Sequence, residues 1–206
     1  AAVSSATLAA SKALHTKQDE DLDELMDEYG DELDDLVSAA NSGKMSKSDF
    51  QDEMEAIVAA MLLAAFLRGS QLPESQLTAS LRKVVGEEVD INLEAVTNLA
   101  DDVYAGKYKP EQLGEEGAGR RIELWVGTLA GMYARGQLRR KDDPRFQWVV
   151  GATEHCATCS RLSGQVHTAA EWLSSGYAPQ SHSLACHGYR CQFRLVETSS
   201  GIRGNF

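Results

Sequence analysis

At 206 residues, with 43% hydrophobic and 25% charged residues and four prolines, the chain has ordinary globular composition and no room for long proline-rich linkers. Its net charge of −11 argues against a nucleic-acid binder by overall charge. The charge is segregated: eleven acidic and no basic residues lie between Asp19 and Asp35, whereas 120–206 holds eleven Lys/Arg against six Asp/Glu.

The first ten residues lack the basic head and continuous apolar core of a secretory signal, and 1–18 has weak periodicity and reads as a flexible segment. From Asp19 a helical stripe appears at Leu22, Leu25, Met26, Tyr29, Leu33, Leu36, Val37 and Ala40, with carboxylates on the other faces. Gly30 marks a candidate break, and Asn41-Ser42-Gly43 ends the helix. Ser46 or Ser48 caps a second helix carrying Phe50, Met54, Ile57, Val58, Met61, Leu62, Ala65 and Phe66, which ends at Gly69-Ser70. The two form an αα-hairpin, and the alanines at 56, 59, 60, 64 and 65 allow a neighbouring helix to come close. The longest apolar run, Ala56 to Leu67, has twelve residues, too few for a membrane span.

After Pro73 a third helix is predicted to run to Val85, with Gly86 interrupting it. A fourth, capped by Asp90 or Asn92, carries Leu93, Val96, Leu99 and Val103. Residues 106–119 read as a loop, and a fifth helix carries Ile122, Trp125, Leu129, Met132 and Tyr133 before fading at Gly136. Beyond Pro144, Phe146 to Val150 reads as a strand and Cys191 to Thr198 as its partner. Thr168 to Leu173 is a short helix whose Thr168 and Glu171 make a capping-box pattern. The tail from Ser199 reads as disordered. The fold class is mainly α: a helical domain of αα-hairpins over 19–141, then a small α+β module over 142–198 and a tail over 199–206.

All four cysteines fall in that module, as Cys156 and Cys159, then Cys186 and Cys191, with 26 residues between the pairs. Two close pairs separated by a loop are what one tetrahedral zinc ion asks of a chain, with His155, His182 and His187 as alternates. Gly188 relaxes the second turn. Four thiolates would leave no open position for water, so such a site staples a module too small to hold itself together. Unmetallated buried thiols and a disulfide or redox pair are the competing readings, the latter weakened because no helix is evident after Cys156-Ala157-Thr158-Cys159. A zinc-dependent nucleic-acid-processing or toxin domain would instead use His155, His167 or His187 beside an open metal. Arg139, Arg140, Lys141 and Arg145 are candidate contacts for phosphate or an acidic partner, against a solvated hinge.

The run from Trp148 to Trp172, then Ala178-Pro179-Gln180-Ser181 and Leu184 to Leu195, resembles the C-terminal domain of phage Mu F-like minor head proteins, the phage head morphogenesis family. The positions that carry the resemblance are Cys156, Cys159, Leu162, Gly164, Val166, Pro179, Cys186 and Cys191, and the helix from Leu124 to Leu138 also resembles the family's lead-in. Where the family carries C-x-C before the last strand, this chain has Cys191-Gln192-Phe193, so Cys191 or a nearby histidine must complete the site. The resemblance implies a non-enzymatic minor component of a tailed-phage head. Such a protein associates with the portal and other head proteins, sits in the virion after assembly in the host cytoplasm, and is a candidate for touching packaged DNA.

Overall fold

The structure, a computed structural model, describes residues 5–108, 118–149, 156–188 and 193–206. It is mainly helical: α1 (Ser5–Asn41), α2 (Lys47–Ser70), α3 (Ala79–Tyr104) and α4 (Ala118–Gln137) precede β1 (Arg145–Val149), α5 (Ala157–Leu162), β2 (Val166–Thr168), α6 (Ala169–Ser175) and β3 (Arg194–Glu197). The chain divides into two compact units. One, the helical unit, comprises Glu24–Ala64 and Pro73–Leu129; the other, the cysteine unit, comprises Ala1–Asp23, Ala65–Leu72 and Ala130–Phe206. The division therefore falls inside α1, α2 and α4 rather than at Lys141 to Pro144.

In the helical unit the expected stripes are the buried faces. Leu33, Val37, Phe50, Met54, Val58 and Leu62 are all fully buried, and burial of this kind stabilises by roughly 1.5–3 kcal/mol per large side chain. The α1 helix begins at Ser5, well before Asp19, and passes through Gly30 unbroken. A Cβ at Gly30 would make only ordinary contact with Val126, 3.9 Å away. The helix ends where Gly43, at φ 70°, lets the Lys44 N–H reach the Ala39 carbonyl and the Gly43 N–H the Ala40 carbonyl, a Schellman closure. Ser46 then caps α2: its hydroxyl accepts from the Asp49 N–H at 3.2 Å, while the Asp49 carboxylate accepts from the Ser46 hydroxyl at 2.7 Å.

The two helices expected around Gly86 are one. The α3 helix runs through it, because Val85, Val96, Leu99 and Val103 lie on one buried face and stay in helical register across the glycine. Its cap is Thr78, whose side chain accepts from the Leu81 N–H at 3.3 Å. Asn92, expected as a cap, is instead buried mid-helix and donates to the Glu88 carbonyl at 2.7 Å. No helix among the described residues is long and apolar enough to cross a membrane.

The cysteine unit is organised by a three-stranded antiparallel sheet in the order β2-β1-β3. Phe146 and Trp148 alternate inward from β1, whose Phe146 lies opposite His167 of β2 and Glu197 of β3. They pack with Leu162, Trp172, Phe193 and Leu195. The Trp148 and Trp172 rings lie 5.4 Å apart, and the Trp172 indole N–H donates to the Phe146 carbonyl at 2.9 Å, so a large buried ring keeps its polar atom satisfied. Ala134 and Leu138, at the end of α4, belong to the same core. The last turns of α2 reach α4 at two glycines. A Cβ at Gly69 would overlap the Tyr133 carbonyl, and one at Gly136 would overlap the Phe66 carbonyl and lie 2.8 Å from the Ser70 nitrogen. Close approach is thus supplied by glycine, not only by the alanines of α2.

The tail is not disordered. Val166 and Arg203 exchange two backbone hydrogen bonds of 2.9 Å, the Gln165 side chain donates to the Asn205 carbonyl at 3.0 Å, and the Phe206 ring stacks on His167 at 4.1 Å. Backbone groups on the open edge of β2 need partners whatever side chains the partner carries, so a Ser/Gly-rich composition did not reveal this pairing.

Candidate metal centre

The α5 helix was not evident in the sequence because it is six residues long and has no Ser, Thr, Asp or Asn at its cap. Cys156 takes that place: its sulfur accepts from the Cys159 N–H at 3.5 Å, and one helical turn brings Cys159 to the same side. Cys159 is fully buried beside Leu162, and Cys156 and Cys186 are half-buried against the aromatic core.

Cys186 arrives on the segment between α6 and β3. There the Ala185 N–H donates to the Thr158 hydroxyl at 3.3 Å, tying the segment to α5. The His187 N–H closes a turn onto the Leu184 carbonyl at 2.8 Å. Gly188 sits at φ 81°, and a Cβ there would overlap the Gln180 carbonyl, so this position demands glycine on two grounds. Gln180, at φ 58°, is in turn held by its side chain, which accepts from the Gly131 N–H of α4 at 3.0 Å.

The sulfurs of Cys156, Cys159 and Cys186 lie within 4.8 Å of one another. In a tetrahedral zinc site with Zn–S near 2.3 Å, neighbouring sulfurs sit about 3.8 Å apart, so these three could hold a metal ion after a small contraction. The electrostatics favour this. Burial pushes the Cys156 thiol up, but it is outweighed by hydrogen bonds from the Cys159 backbone, the Cys159 and Cys186 thiols and the Cys186 backbone, and the pKa falls to about 7. A thiol already close to ionised at neutral pH gives up its proton to a metal at little cost. Three soft donors fit zinc, and the fourth expected ligand, Cys191, and its alternate His155 lie outside the described residues. His182 and His187 are not part of the cluster: both are exposed, and the His187 Nδ1 lies 3.1 Å from the His182 carbonyl.

His167, a candidate general base in the enzymatic reading, is buried under Phe206, with Nε2 3.0 Å from the Gln165 carbonyl oxygen of the side chain and Nδ1 3.7 Å from Glu171. Glu171 also completes the expected capping box: its carboxylate accepts from the Thr168 N–H at 2.9 Å while the Thr168 hydroxyl accepts from the Glu171 N–H at 3.2 Å.

The basic cluster is largely turned inward. Arg140 pairs with Asp142 at 2.6 Å and with Glu197 of β3, and its side chain is 9% exposed. Arg139 lies over the Phe66 ring and donates to the Arg135 carbonyl at 2.8 Å. Lys141 is exposed, and Arg145 is half-buried at the start of β1.

No family model matches the chain, and neither a curated protein nor a solved structure is detectably similar to it.

Proposed function

We propose that this chain is a minor structural protein of a tailed-phage head, in which a zinc ion bound by Cys156, Cys159, Cys186 and Cys191 staples a small docking module carried by helices. The observation that carries the reading is that positions shared with the Mu F-like pattern have separate tasks around one centre. Cys156, Cys159 and Cys186 converge, Leu162 is buried in the same core, Val166 is buried on β2, and Gly164 at φ 76° turns the chain from α5 into β2. Pro179 leads into the pinned Gln180.

Zinc held by four thiolates would stabilise the module and leave no position for a reacting water. The role is accordingly assembly: association with the portal and neighbouring head proteins, in the host cytoplasm first and then in the virion. Arg139 and Arg140 are engaged within the cysteine unit, so the contact proposed is with protein rather than with DNA phosphates.

The test is co-expression with the portal protein of the same phage, followed by affinity capture and metal analysis. Co-purification with close to one equivalent of zinc is expected, and a folded, zinc-loaded chain that fails to capture the portal overturns the assembly role. Metal-dependent cleavage of nucleic acid, abolished by His167→Ala in folded protein, would favour the enzymatic alternative.

A further inference from the structure

The helical unit carries a groove of about 280 Å³ between α2 and α3, with walls formed by Ala59 and Leu63 on one side and by Val85, Gly86 and Val89 on the other. Arg82 and Asp90 stand at its two ends. On a helix, positions 82, 86, 89 and 90 fall on one face, because they are separated by four, seven and eight residues. Gly86 is the midpoint: Arg82 lies one turn before it and Asp90 one turn after it, about 12 Å from each other along the axis. Nothing in the structure lies within 4 Å of a Cβ placed at Gly86, so the groove is open at its centre.

This arrangement is self-complementary. From the geometry we infer that the groove is an interface between two copies of this chain, with the α3 helices crossing antiparallel about a two-fold axis at Gly86. Such an axis brings Arg82 of each copy opposite Asp90 of the other, giving two equivalent ion pairs, and sets apolar groove against apolar groove. The charge order agrees. Along α3 the basic Arg82 precedes the acidic Asp90, so an antiparallel crossing opposes unlike charges at both ends of the groove and a parallel one opposes like charges. A missing side chain at the crossing point lets helix axes approach closely. Among the described residues of one copy, Arg82 is paired with the exposed Glu74 carboxylate at 3.9 Å, a pair weak enough to be exchanged for Asp90 of a second copy. The inference is independent of any phage role, since it concerns only the helical unit.

Sedimentation velocity on the full chain, from about 1 to about 200 µM at low salt, tests it. Concentration-dependent dimerisation is expected, and Arg82→Asp or Asp90→Arg alone should weaken it about tenfold or more by placing like charges opposite each other twice. The double variant R82D/D90R should return to within about threefold of the original affinity, because the swapped charges again face their opposites. Gly86→Leu should fill the groove and abolish association while leaving the helical circular-dichroism signal intact. A chain that stays monomeric throughout overturns the inference. So does a dimer indifferent to both single reversals, or one that the double reversal fails to restore.

Discussion

The two units are stabilised in different ways. In the helical unit stability is spread over many aliphatic and alanine contacts between long amphipathic helices, and no single residue dominates. In the cysteine unit the contacts are concentrated: a short sheet, two tryptophans and one pair of helix-crossing glycines organise the core, with the sulfur cluster packed beside it. A distributed core loses a little with each substitution, whereas a concentrated one loses most of its order when one member goes.

The largest effect should come from Cys159→Ser. It removes a buried thiol of a cluster that could hold a metal ion, and if the proposed structural zinc supplies folding free energy of more than about 5 kcal/mol, as in small modules, the cysteine unit should unfold. The near-ultraviolet signal of Trp148 and Trp172 should collapse while most of the helical signal survives. Retention of both signals without metal would show that the sulfur cluster is not a staple.

A second contrast uses one substitution at two glycines. Gly136→Ala should destabilise by about 2–3 kcal/mol, because its methyl would overlap the Phe66 carbonyl. Gly86→Ala, with open space within the single chain and helical backbone, should stabilise the monomer by about 0.5–1 kcal/mol. Urea unfolding of both variants at concentrations where the chain is monomeric checks the signs, and equal effects would remove the distinction between a glycine packed against another helix of its own chain and one that is not.

Thr168→Ala should cost about 1 kcal/mol by breaking the reciprocal cap of α6, seen as a lower urea midpoint for the tryptophan signal with no change in the helical unit.

The smallest expected effect is a pH dependence. The hydrogen bond from Arg140, chiefly, holds the Asp142 carboxyl below its usual value. A depressed carboxylate pKa contributes stability that is complete above the ordinary aspartate value and is lost as pH falls through the lower folded one. Because Asp142 is largely exposed, the loss should be only a few tenths of a kcal/mol. It should vanish in Asp142→Asn when acid unfolding of the two proteins is compared.

The same contrast explains what could be read from the amino-acid order. Periodic burial over three or more turns is written repeatedly along a chain, so α1, α2 and the α4 stripe were legible, and so were the Thr168 cap and the convergence of Cys186 on Cys156 and Cys159. Gly86 misled because a glycine inside a helix costs only about 1 kcal/mol, less than the packing of Val85, Val96 and Leu99 supplies. Elements of three to six residues carry almost no periodicity, which hid α5 and β2. The tail pairing was hidden for another reason: it rests on backbone groups that every residue has. The inward turn of Arg140 depends on Glu197, 57 residues away, and no local pattern reports such a partner.

The Gln180 joint gives the sulfur cluster a distant reporter. One face of this residue blocks any side chain at Gly188, just past Cys186, while its amide oxygen receives the Gly131 N–H in the middle of α4. Loosening of the Cys186 segment should therefore be audible at a helix that supplies no ligand. Exchange of the Gly131 amide proton with solvent would then serve as a built-in gauge of whether the centre is loaded, readable without touching a cysteine.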